Sequence, residues 1–417
     1  MAKPNIVLIM ADDMGFECLS CYGSTTYQTP ALDDLASRGI RFSHCYSTPL
    51  CTPSRVEIMT GQYNFRNYEA FAYLNPEETT FGNLLKNAGY ATCISGKWQL
   101  SKDNSMPAHF GFEEHCLWNM TEFPNGEGRR RYANPVLERN QELISNEESE
   151  DNYGPDICCD YLLDFIERHR NQPFFAYYPM MLVHSPFVPT PDSPEWQDKS
   201  RRDETDTRYF IDMVAYADKL VGSVVDKLEA LDLLENTLVI FTTDNGTHRS
   251  ITSQMDGDIE IVGGKGTMPD AGTHVPMIAF WKGVTPEGGV LDDLVDFSDI
   301  LPTLTDLADV PIPEGMPCDG QSFLPQLRGN EGNPRDWIFC HYNPRWSSVQ
   351  KHAGQFAREH RFKIYHDGRF YDVPADRLEK HQIPVGNGGP EGEAARERLQ
   401  KVLDRMPEWV DEEIPDR

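Results

Sequence analysis

Short, continuously apolar runs alternate along this chain with longer stretches whose apolar residues recur at helical spacing. Ile6–Met10, Ala91–Ser95, Phe174–Val183, Leu238–Thr242 and Val275–Trp281 are the runs, and they read as strands buried on both faces. A helix is predicted from Thr29-Pro30 to Gly39, with Leu32, Leu35 and Ala36 on one face. Further helices are predicted over Phe81–Ala88, which closes at Gly89, over Ile157–His169, over 206–235 and over 297–308. In the second of these, Tyr161, Leu162, Phe165 and Ile166 share a face. Buried strands separated by helices imply an α/β fold, a large, mostly parallel central sheet sandwiched by helices.

The pattern changes after the polar, glycine-bearing stretch Asn330–Arg335. Trp337–Tyr342, Phe362–His366 and Arg369–Asp372 read as short strands, with a turn at Asp367-Gly368, and 391–404 reads as a charged helix. The expected organisation is a main α/β domain over 1–332 and a small C-terminal subdomain over 333–417. The latter is an antiparallel sheet plus helix that completes the substrate pocket. Segment 121–155 is polar and reads as a long irregular loop at the site rim. Its run Arg129-Arg130-Arg131 reads as a solvated charge cluster.

Composition narrows the function. The 417 residues carry a formal net charge of -28, which argues against nucleic acid and anionic membranes as partners. No apolar run approaches the length of a membrane span. Ile6–Met10 is too short for a signal-peptide core and lacks a cleavage site after it, so the chain reads as cytoplasmic. A leader removed before residue 1 would instead make it periplasmic or secreted. Ten cysteines in this length do not make a disulfide scaffold, and the pair Cys18-x-x-Cys21 lacks the second pair that a zinc site needs.

Chemistry gathers where the predicted strands end. Asp12-Asp13 follows the first run, Lys97 the second, His184 the third and Asp244-Asn245-Gly246 the fourth. Taken singly, each has a plain structural reading as a cap, a turn or a hydrogen-bonded histidine. Together they lie at the carboxyl edge of one sheet, where open α/β folds bind ligands. Three carboxylates and an amide oxygen form a hard cage suited to Ca2+ or Mg2+, and adjacent aspartates approach cheaply only around a cation. The run Cys51-Thr52-Pro53-Ser54-Arg55 adds a thiol. Thr52 reads as an N-cap, Pro53 as the first helical position and Gly61 as the stop after residues 54–60. Cys51 is thereby expected at the positive end of a helix, with a buried structural cysteine beside a cap as the alternative.

That pentapeptide resembles the C-x-P-S-R signature of type I sulfatases, arylsulfatase-like members of the alkaline phosphatase superfamily. Lys3–Asp13 is similar to the opening segment of that family, and Gly96-Lys97-Trp98 to its second block. Gly263-Gly264-Lys265-Gly266-Thr267 with Gly272-Thr273-His274-Val275-Pro276 is similar to its late lysine block, and Gly368–Asp372 to its closing strand. The resemblance covers roughly residues 3–310, with a weaker echo over 363–377. It implies that a formylglycine-generating enzyme oxidises Cys51 to formylglycine, whose hydrate is the nucleophile. It implies metal ligands Asp12, Asp13, Asp244 and Asn245, with residue 51 completing the shell. Arg55 and Lys97 would stabilise the hydrated aldehyde. Lys265 would bind sulfate and, with His184, flank the leaving oxygen. Charge develops on that oxygen, so His184 suits a general acid, and Arg55, Lys97 and Lys265 offset the remaining negative charge.

Two positions depart from the family pattern. Gln99 stands where the family often has histidine, the presumed base of the step that releases sulfate, and glutamine does not titrate. His274 stands where arginine is common, and a packing role behind the site is expected. A sulfated carbohydrate is the expected substrate by family analogy, with a sulfated small molecule as the alternative. Gln99, His341, Arg345 and Trp346 are candidate contacts, against ordinary domain packing. The rival functions are a phosphonate monoester or phosphodiester hydrolase of the same superfamily and a non-catalytic protein that binds sulfated glycans.

Overall fold

The computed structural model describes residues 3–118 and 130–412. The first strand, β1 (Asn5–Ala11), sets the architecture. Val7, Ile9 and Ala11 enter one apolar cluster while Ile6, Leu8 and Met10 enter another on the opposite face. The strands that follow are β2 (Ile40–Tyr46), β3 (Ala91–Lys97), β4 (Glu114–Trp118), β5 (Leu137–Arg139), β6 (Glu142–Leu143), β7 (Phe174–Pro179) and β8 (Thr237–Thr243). Next come the hairpin β9 (Thr252–Met255) and β10 (Ile259–Val262), then β11 (His274–Phe280) and β12 (Gly289–Asp296).

Ten of these strands form one sheet in the order β12-β2-β11-β8-β1-β7-β3-β4-β5-β6. The run from β8 to β4 is parallel throughout, and β2 pairs parallel with β12. β11 runs antiparallel to both β2 and β8, and β5 and β6 add an antiparallel edge. Helices Pro30–Arg38, Gly154–Arg168 and Phe210–Ala230 cover one face. Helices Cys51–Thr60, Phe81–Asn87 and Ile300–Leu307 cover the other, completing the expected sandwich. Among the described residues no helix is long and apolar enough to cross a membrane, and the ten cysteines are free.

Several elements differ from the sequence pattern. The third apolar run leaves the sheet at Pro179, and Met180–Val183 instead bonds across the end of β1. There Met180 N donates to Met10 O at 2.8 Å, Asp12 N to Leu182 O at 2.7 Å and Val183 N to Asp12 O at 2.7 Å. The long helix of 206–235 is a helix over Phe210–Ala230 flanked by 3-10 turns, and the helix predicted at Ile157 begins at Gly154. Within the described part of 121–155, β5, β6 and a short helix over Asn146–Ser149 interrupt the expected loop. Arg129 lies outside the described residues. Arg131 is half-buried: its guanidinium lies 3.8 Å over the Trp118 ring, and among the described residues Nε and Nη1 are buried without a hydrogen-bond partner.

Toward the C-terminus, β13 (Ile338–Tyr342), β14 (Gly354–Arg358), β15 (Phe362–Tyr365) and β16 (Phe370–Asp372) make a separate antiparallel sheet. One face carries Phe339, Ala357, Phe362, Ile364 and Phe370, against Ala395, Leu399, Val402 and Leu403 of the helix Gly389–Leu403. The other face presents Tyr342, Phe356 and Tyr365 to Leu50 and Cys51.

Arg335 ties the segment leading into the small sheet to the main body. Its Nε lies 2.7 and 2.8 Å from the Asp299 carboxylate oxygens, Nη1 donates to Tyr63 Oη at 3.0 Å, and Nη2 donates to Asp319 O at 3.0 Å. Removing one partner of such a buried pair strands the other, at a cost of about 3–5 kcal/mol. Arg335→Ala is expected to move the urea unfolding midpoint sharply down, and an unchanged midpoint would deny the pair any structural weight.

Candidate active site

Parallel strands β1, β3, β7 and β8 deliver their carboxyl ends to one edge. Asp12 and Asp13 follow β1, Lys97 ends β3, His184 follows the crossing after β7, and Asp244 and Asn245 follow β8. Gly96 makes the close approach of β3 to β7 possible. It sits at φ +127°, and a Cβ there would lie 2.0 Å from Pro179 O. Asp13 itself adopts φ 61°, a left-handed conformation that concentrates at functional sites.

The charges interlock. Lys97 Nζ donates to Asp12 Oδ2 at 2.7 Å, Arg55 Nη2 to Asp244 Oδ2 at 2.7 Å, and Lys265 Nζ to Asp13 Oδ2 at 2.5 Å. Arg55 Nη2 also lies 3.9 Å from Asp12 Oδ1, and Nη1 donates to Lys97 O at 3.3 Å. Asn245 Nδ2 donates to Asp13 Oδ1 at 2.9 Å, and the Asp13 amide to Asp244 Oδ1 at 3.1 Å. The three aspartates and Asn245 are wholly buried. His184 Nε2 stands 3.7 Å from Asp13 Oδ2, while Nδ1 lies 2.6 Å from Ser185 O. A carbonyl accepts, so Nδ1 carries the proton and Nε2 faces the site with its lone pair.

The titration behaviour follows from this arrangement. Burial alone would raise Asp12, but Lys97, then His184 and Arg55, hold it well below the usual carboxylate range. Asp13 is lowered likewise, Lys265 overcoming burial. Burial and the neighbouring Asp12 push Asp244 up to about 7 against the pull of Arg55. Burial, then Lys265, lowers His184 to about 3, so its imidazole is neutral. Burial raises the Cys51 thiol, so the unmodified side chain is no ready thiolate.

The donors fit a hard divalent cation. Asp12 Oδ1 and Asn245 Oδ1 are buried without a hydrogen-bond partner, and Asp12, Asp13 and His184 each offer a ligand atom within 4.8 Å of the others.

The cysteine helix starts earlier than its sequence suggests. It spans Cys51–Thr60 with Leu50 as the extended N-cap residue, so Pro53 is its third residue. Thr52 does not cap: its hydroxyl accepts from Ala72 N at 3.2 Å. Ser54 Oγ instead donates back to Leu50 O at 2.9 Å and Thr48 O at 2.8 Å. Tyr132, from the polar segment, holds the histidine loop by donating to Met181 O at 3.0 Å and to His184 O. Its one sequence signal was an aromatic residue beside arginines.

The remaining candidates sit apart from one another. Gln99 has φ 52° and a buried, unpartnered Oε1. His274 packs, with Nε2 2.9 Å from Ser43 O and its ring stacked 4.3 Å from Phe16. Arg345 is matched by Glu412 at 3.0 Å and donates to Glu69 O, and His341 is packed between Phe65 and Trp409. Trp346 stacks on Phe71 at 4.5 Å, and Phe71 packs against the Leu50–Cys51 cluster.

His341 yields a pH prediction. Burial, then Arg345, lowers it from 6.5 to about 4, so the fold holds it neutral. The unfolded chain takes up a proton below 6.5, so this contribution to stability is present above 6.5 and fades as pH falls toward 4. His341→Gln is expected to flatten the thermal midpoint between those pH values. A slope identical to that of the parent would exclude the residue.

Residues 4–310 match the sulfatase family model, and residues 264–406 match the model for the C-terminal region of N-sulphoglucosamine sulphohydrolase. Human arylsulfatase A is 32% identical over 370 residues, covering 81% of this chain and 70% of that protein. A protein solved with its substrate D-glucosamine-2-N,6-O-disulfate superposes with a TM-score of 0.75 at 21% identity, covering 97% of this chain and 99% of that one. The phosphonate monoester hydrolase of Agrobacterium radiobacter superposes at 0.71 with 19% identity, covering 96% and 95%.

Proposed function

The chain belongs to the sulfatase family and is a sulfuric ester hydrolase of arylsulfatase type, and on that premise we propose that it cleaves a sulfate ester on a carbohydrate. In this reading residue 51 works as formylglycine, made by a formylglycine-generating enzyme, and Asp12, Asp13, Asp244 and Asn245 hold a Ca2+ ion, with Mg2+ as the substitute. What carries the reading is the convergence of those four oxygen donors with Arg55, Lys97 and Lys265 around residue 51. The bound cation would supply Lewis-acid polarisation of a sulfate oxygen. Formylglycine would supply, as its hydrate, a hydroxyl nucleophile at the head of the Cys51–Thr60 helix.

The side chains of this chain do the rest. Lys97 and Arg55 fix the carboxylates and leave positive charge facing residue 51, so charge developing on the sulfuryl oxygens meets donors already in place. Lys265 and His184 flank Asp13 and would lie beside the leaving oxygen, Lys265 carrying its proton. His184 enters with Nε2 unprotonated, so it gains a proton before it can give one. In this reading the small sheet, whose inner face packs on Leu50 and Cys51, would form part of the pocket wall. The orphan N–H groups of Arg131, beside Tyr132 and the histidine loop, suit an anionic sugar.

Peptide mass and rate tests separate this reading from its rivals. Protein co-produced with a formylglycine-generating enzyme is expected to carry an aldehyde at residue 51 and to prefer an aryl sulfate to an aryl phosphodiester. Unmodified cysteine with tight binding and no sulfate release would indicate a binding protein. Faster phosphodiester cleavage would indicate the phosphonate monoester hydrolase reading, whose fold is shared.

Gln99 supplies a kinetic prediction. Because glutamine at position 99 does not titrate, the enzyme is expected to complete its first turnover faster than later ones, and Gln99→His to accelerate the later ones. Linear release from the first turnover in the parent enzyme would remove Gln99 from the argument.

A further inference from the structure

A second cluster of ligating side chains lies away from the aspartate cage. We infer that His44, Asp292 and His360 bind a divalent transition-metal cation of the zinc class, where the edge of the main sheet meets the small sheet. One ligand atom from each lies within 4.8 Å of the others. The three come from separate elements: His44 from β2, Asp292 from β12 and His360 from the connection between β14 and β15.

The local geometry favours ligation. His44 Nδ1 lies 3.3 Å from the Tyr46 hydroxyl, which fixes the ring, and Nε2 points to Asp292 Oδ1 at 3.2 Å. Metal-binding imidazoles are held in this way, through the nitrogen that does not ligate. The His44 and His360 rings stand edge to face, with centroids 5.1 Å apart, and His360 Nε2 lies 2.7 Å from the Asp292 carbonyl. The register of β12 against β2 shifts between Leu291 and Leu294, which puts Asp292 in the irregularity. Such bulges re-aim side chains. Arg358 is the charge felt most strongly at His44, and its partner Asp270 at 2.6 Å, together with Asp292, offsets part of it.

The ligand set decides the metal. Two imidazoles and one carboxylate suit Zn2+ and its transition-metal neighbours, whereas the all-oxygen cage suits Ca2+ or Mg2+. The two positions therefore sort cations by chemistry. The Asp292 side chain is 81% exposed, so solvent can fill the remaining coordination position. A cation here would tie β12, an edge strand, to the small sheet whose inner face covers Cys51.

The test is Zn2+ titration of the full chain by equilibrium dialysis, with Ca2+ in excess to occupy the oxygen cage. The thermal midpoint is followed in parallel. The parent is expected to take up a further equivalent of Zn2+ and to gain thermal stability from it. His360→Ala is expected to weaken that uptake by at least about tenfold and to abolish the thermal gain. Asp292→Asn, at an exposed position, is the second variant and is expected to weaken uptake likewise. Zn2+ affinity unchanged in both variants, or no uptake by the parent, would overturn the assignment and leave an ordinary histidine–aspartate pair.

Discussion

Three carboxylates buried at one end of a sheet are the constraint on which the rest of this structure depends. Asp12, Asp13 and Asp244 have no access to solvent, and each would be strongly disfavoured as an anion alone. Each is answered by one cation from a distant part of the chain: Lys97, Lys265 and Arg55. The match dictates placement. The Cys51–Thr60 helix must lie where it brings Arg55 under β8, β3 must end beside β1, and the glycine-flanked segment at Lys265 must fold over Asp13. The thiol at the start of that helix is carried to the same spot as a consequence.

The same network separates groups of one chemical type. Asp12 is held far below the ordinary range while Asp244 is pushed up to about 7, although both belong to a single cluster. A divalent cation among these oxygens would favour the ionised form of each. Cys51 is pushed in the opposite direction from a reactive cysteine.

Much of this was readable from the chain, for a definite reason. A parallel sheet places all its strand ends on one edge, so residues following four apolar runs could be brought together without knowing the strand order. What escaped reading has equally definite causes. β2 interleaves Arg41, Ser43 and His44 with its apolar residues, and β12 carries Asp292 and Asp293 at an edge, so neither presents a continuous apolar run. Tyr132 and Arg131 come from a polar segment with no periodicity. His341, Arg345 and Trp346 are neighbours in sequence, yet packing sends them to different partners. The helix at Cys51 begins two residues earlier than Thr52-Pro53 suggests: its first intrahelical bond runs from Ser54 N to Leu50 O, and neither Leu50 nor Thr52 supplies a side-chain cap.

The burial of Cys51 also fixes an order of events. Its cover is drawn from Met268, Tyr342, Phe356 and Tyr365, all at least two hundred residues downstream. A ribosome therefore exposes the cysteine long before it has made the residues that hide it. Any protein that must grip the segment around Cys51 and act on its sulfur has the growing chain as its substrate. Once the last sheet has closed, the thiol is buried and can be reached only by reopening that cover.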